Sequence, residues 1–85
     1  MTNVENEYAI PSFVQGQDYW PLPETGNWSA DCAAGRAAGA DLLRVMFFQD
    51  ASPMLGFVVR AMVEKGRFGG VEAGFCQVIA EAVTQ

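Results

Sequence analysis

The chain has no histidine, only five basic residues and only two cysteines among its 85 positions. Each scarcity removes a class of chemistry. Without histidine, no side chain ordinarily titrates near neutral pH to act as a general base. Two distant cysteines cannot supply the soft ligands of a zinc site, and the ten acids lack the spacing of a calcium loop. No metal and no cofactor is expected. Five bases against ten acids leave a net charge of −5, the wrong sign for direct binding to nucleic acid. The longest apolar run, Val45-Met46-Phe47-Phe48, is far too short to cross a membrane. No basic segment followed by an apolar stretch opens the sequence, and a lone pair of thiols suits a reducing compartment, so the expected address is the cytoplasm. A Cys32–Cys76 disulfide is open on geometry, with two plain buried thiols the favoured reading.

What is present divides unevenly. Glu5, Glu7, Asp18, Glu24 and Asp31 carry the whole net charge, because later acids and bases balance. The same opening stretch holds Pro11, Pro21 and Pro23 and the aromatic residues Tyr8, Phe13, Tyr19, Trp20 and Trp28. Alternating prolines enforce extended backbone, and Thr25-Gly26-Asn27 is a turn. Tyr8 to Val14 has the composition of an extended segment. Residues 1–26 therefore read as an acidic, aromatic arm, and residues 27–85 as a charge-neutral helical body.

Three helices are expected in that body, over about 28–49, 53–65 and 71–83. Asn27 or Ser29 caps the first, and Asp31 complements its dipole. Its predicted inner face carries Cys32, Gly35, Gly39, Leu42, Leu43 and Met46, with Asp31 and Asp41 off it. Ser52 caps the second helix and Pro53 takes its first position, where a missing N–H costs nothing. Leu55, Val58, Val59 and Met62 form its apolar stripe, and Gly66 supplies a left-handed stop. In the third, Val71, Phe75, Val78, Ile79 and Ala82 face inward. The fold class is all-α: a small three-helix domain with an extended, irregular N-terminal arm packed on the helices.

Gly35, Gly39, Gly56 and Gly74 fall inside these helices, each at a cost of roughly 0.5–1 kcal/mol relative to alanine. A small domain tolerates that where a missing side chain lets another backbone come close. Tight crossing within one chain is the expected use, with packing against a second copy as the alternative.

The most site-like stretch runs from Lys65 to Glu72. Lys65, Arg67, Gly69 and Gly70 could hold an anion at a helix N-terminus, although no phosphate-loop or dinucleotide pattern is matched. The competing reading is a tight turn in which Glu72 serves the helix end or Arg67. Cys32 lies in a first helical turn but has no base beside it. Tyr8, Phe13, Tyr19, Trp20 and Phe57 form either a partner-binding surface or, for the arm residues, the anchor that completes the core.

No enzyme is expected. The reading is a small protein–protein interaction module or accessory subunit, binding a protein partner or itself as a homodimer, with no direct nucleic-acid or membrane contact. Two alternatives stand beside it. One is a phage or mobile-element inhibitor of anti-CRISPR or anti-restriction type, whose acidic surface mimics nucleic acid. The other is an anion- or nucleotide-sensing regulator built on the Gly66–Gly70 turn.

Overall fold

The computed structural model describes residues 10–49 and 52–84. Three helices follow the arm: α1 Trp28–Gln49, α2 Pro53–Lys65 and α3 Gly70–Val83. No strand is formed among the described residues; the arm contributes only an isolated bridge between Gln15 and Asp18. The expected all-α, three-helix body is what the described residues adopt, with residues 10–26 laid across it as irregular chain; the first nine residues of the expected arm lie outside the described residues.

Local chemistry sets the boundaries. Asn27 caps α1, its side-chain oxygen accepting from the Ala30 N–H at 3.0 Å. Pro53 opens α2, and Gly66, in the left-handed region at φ 73°, closes it. Ser52 is the exception to the expectation: its backbone is helical and its side chain makes no capping bond. The Ser52 carbonyl, not its hydroxyl, accepts from the Leu55 N–H at 3.3 Å. Within the arm, Pro11 to Val14 is a turn closed by the Val14 N–H on the Pro11 carbonyl, not the extended segment expected there.

α1 and α3 are parallel and almost touching. A Cβ placed on Gly70 would meet Asp31, one on Gly74 would meet the Cys32 carbonyl at 2.1 Å, and one on Gly39 would meet Val78. Positions rise together along both helices, which fixes the direction. Gly35 makes the closest approach, its absent Cβ falling 1.9 Å from the Val71 carbonyl oxygen. The small-residue face read from the sequence is thus an intramolecular crossing. Gly56 is different: nothing lies within 4 Å of its missing side chain, so the expected close approach does not occur there.

The core is assembled by the arm. Trp20 is fully buried with Leu42, Val58, Val71 and Phe75. Its ring meets Phe75 edge-on at 4.9 Å and Phe13 at 5.7 Å. α2 packs little against α1 directly. Instead Val58 and Met62 reach the core while the arm grips its outside, through Tyr19 against Phe57 at 5.6 Å and Asp18 against Lys65 at 2.9 Å. Val59, expected in the α2 stripe, is exposed. Val58 and Met62 lie one turn apart and point α2 at Trp20, which rotates Val59 out.

Candidate functional site

Arg67, Gly69, Gly70 and Glu72 come together where the first turns of α1 and α3 lie side by side. Two parallel helices bring two positive dipole ends together. Three carboxylates answer them. Glu24, from the arm, accepts from the Gly70 N–H at 2.7 Å. Glu72, the third residue of α3, accepts from the Gly69 N–H at 2.7 Å, which is one half of a capping box. Asp31, in the first turn of α1, accepts from the Thr25 hydroxyl at 2.6 Å and from the Thr25 and Gly26 N–H groups at 3.2 Å.

Glu72 is the centre of this arrangement and is wholly inaccessible to solvent. Its second oxygen accepts from the Trp20 indole N–H at 2.8 Å and from Arg67 Nε at 3.0 Å. Arg67 also lies 3.5 Å from Glu24 and donates to the Leu22 carbonyl. Among the described residues no buried side-chain nitrogen or oxygen lacks a partner. Burial pushes the Glu72 carboxyl up, but hydrogen bonds from the Trp20 indole, Gly69 and Arg67 outweigh it and hold the group below its usual range. The Thr25 hydroxyl does the same for Asp31 against its burial, helped by the Thr25 and Gly26 N–H groups. Lys65, with the Trp20 N–H, lowers Asp18.

A carboxyl held low in the folded chain stabilises it above the unfolded pKa, and that contribution disappears as pH falls through the folded value. All three groups act in this sense. Stability is therefore expected to be level above about pH 5 and to fall on further acidification. Glu72→Gln should cost about 1–3 kcal/mol at neutral pH and flatten the acid limb of a melting-temperature profile. A variant with the wild-type profile would remove Glu72 from the account.

The positions singled out in the sequence are used as follows. Arg67, Gly69 and Gly70 are brought together around Glu24 and Glu72, whereas Lys65 pairs apart from them with Asp18 of the arm, so each meets an acid of this same chain. Trp20 is interior and offers no surface; Phe13 and Tyr19 are half-buried against it and against Phe57. Tyr8 lies outside the described residues. Phe57 is 51% exposed. Asp31 lies buried against α3, not off the inner face of α1 as expected, because the turn at Thr25 and Gly26 folds over it. Cys32 and Cys76 are free thiols, Cys32 half-buried and Cys76 exposed, where two buried thiols were expected. Nearby apolar atoms raise the Cys76 thiol, and the Glu72 charge adds to that. Among the described residues no cluster of acids and thiols is arranged to hold a metal ion, and no helix is long and apolar enough to cross a membrane.

One surface feature has no counterpart in the sequence pattern. Val59, Val63 and Phe68 are 41%, 72% and 68% exposed. They line an open apolar groove between α2 and α3 whose floor includes Met62 and Cys76. Comparison with protein-family models, with curated proteins and with solved structures found no match.

Proposed function

We propose that this chain is a non-enzymatic protein–protein interaction module, engaging a protein partner or a second copy of itself through the groove between α2 and α3. The observation that carries the reading is the solvent exposure of Val59, Val63 and Phe68 beside a core that closes without them. Contiguous apolar side chains of this size on a small domain mark contact surfaces. A non-enzymatic role is supported by the fate of the candidate groups: Glu72 is sealed beneath its donors, and Cys76 has a raised pKa. Phosphate mimicry draws less support, since Asp18, Glu24, Asp31, Asp41 and Glu72 all accept from donors of this chain. An anion sensor would have to displace those same carboxylates. Free thiols suit a reducing compartment, and the cytoplasm is the proposed address.

Val63→Asp combined with Phe68→Ser tests the reading. Both side chains are outside the core, so stability should change by less than about 1 kcal/mol. Self-association, or retention of a co-purifying protein partner by the tagged chain, should be lost. Equal behaviour of variant and wild type in both assays would refute the proposal.

A further inference from the structure

α2 differs from the other two helices in how it is held. α1 and α3 meet backbone to backbone, with Gly35 and Gly74 at the closest points. The arm is tied to both of them. The Ser12 hydroxyl donates to Asp41 at 2.9 Å and the Thr25 hydroxyl to Asp31, both on α1. On α3, Glu72 accepts from the Trp20 indole, and the Gly70 N–H donates to Glu24. α2 meets α1 and α3 only sparsely, and its buried residues are Val58 and Met62. Its hydrogen bond to the arm, from Lys65 to Asp18, is an ion pair open to solvent, a kind that contributes little. Tyr19 against Phe57 adds a ring contact, and Ser52 gives the first turn no side-chain cap.

We propose that α2 is a flap: it leaves as a unit, turning at Gly66, while the arm, α1 and α3 stay folded as a frame. Gly66 stands in the left-handed region, and a few such positions can absorb the backbone rotation of a hinge. The next residue, Arg67, belongs to the frame, since Glu72, Glu24 and the Leu22 carbonyl hold its guanidinium. With α2 away, Trp20 keeps its edge-on contact with Phe75 and its bond to Glu72. A free helix of 13 residues is marginal in water, so opening amounts to melting α2 alone. The flap alternates two apolar faces. Closed, it forms one wall of the groove of Val59, Val63 and Phe68; open, that groove is gone and the Trp20, Leu42 and Phe75 side of the frame is bared. A ligand seated in the groove would therefore hold the flap shut.

Native-state hydrogen exchange on the full chain, in dilute solution without a partner, tests this. The amides of Val58, Val59 and Arg60 should exchange together, and faster than those of Leu42 and Phe75 by roughly tenfold or more once intrinsic rates are removed. Phe57→Ala loosens a contact that only the closed flap makes, and should speed α2 by roughly tenfold. Thr25→Val removes a bond that the open form keeps. It should speed exchange in α1 and α3 by roughly tenfold and leave α2 at its wild-type rate. One common rate for all three helices overturns the inference. So does a Phe57→Ala chain with unchanged α2 exchange, or a Thr25→Val chain in which α2 speeds up with α1 and α3. None of these results depends on what the groove binds, which Val63→Asp/Phe68→Ser decides separately.

Discussion

Replacing Trp20 with alanine is expected to remove about 3–5 kcal/mol of stability. A chain of this length has only about 4–13 kcal/mol in all, so the loss is a large fraction of the whole and unfolds the variant if the wild type lies at the low end. If it remains folded, its Tm should fall by more than about 12 °C. The size of the effect has two sources. The ring fills the space between Leu42, Val58, Val71 and Phe75, and its N–H satisfies Glu72. Trp20→Phe separates them, since it restores most of the volume and leaves the carboxylate short of a donor. A Trp20→Ala chain melting within a few degrees of wild type would mean that the arm is an accessory to the helices and not part of their core.

Gly74→Ala should be nearly as damaging for one added methyl group. The new Cβ would lie 2.1 Å from the Cys32 carbonyl oxygen, and backbone cannot step aside as a flexible side chain does. The expected loss is about 3 kcal/mol or more, at the upper end for overpacking, read from the denaturant midpoint. Gly56→Ala is the internal control: in dilute, monomeric solution it should gain about 0.5–1 kcal/mol. Opposite signs for the same substitution on two helices would separate contact from propensity. Equal midpoints for Gly74→Ala and wild type would show that α1 and α3 stand further apart than described.

The pattern of legibility follows from range. Pro53, Gly66 and Asn27 act on their own neighbours, and each marked its boundary in the sequence. Gly35 and Gly39 announced a close crossing because small residues four apart have few other uses in a helix. That Gly74 and Gly70 supply the opposing side depends on α1 and α3 being parallel, which no local pattern encodes. Glu72, read from the sequence as serving the helix end or Arg67, meets both; the larger omission was that it and Asp31 are buried. Helical periodicity sends Asp31 and Glu72 outward by type, whereas the turn at Thr25 and the indole of Trp20 bring donors to them from elsewhere in the chain. One signal was available: a tryptophan destined for a core needs an acceptor for its N–H, and Glu72 stands beside Val71 on the same helix turn. Which α2 side chains stay wet was illegible for the same reason, since Trp20 decides how α2 rolls.

The parallel pairing of α1 with α3 also bears on how the chain reaches its native state. In most helical bundles the principal contacts join neighbours through a short turn, and such chains close their loops early and quickly. Here the segments that meet at Gly35 and Val71 are separated by the whole of α2, and Trp20 finds its acceptor 52 positions away. Docking these segments draws remote stretches together, and the entropy of a long loop is lost before their contacts offset it. Refolding should run slower than is usual for an all-helical protein of this length.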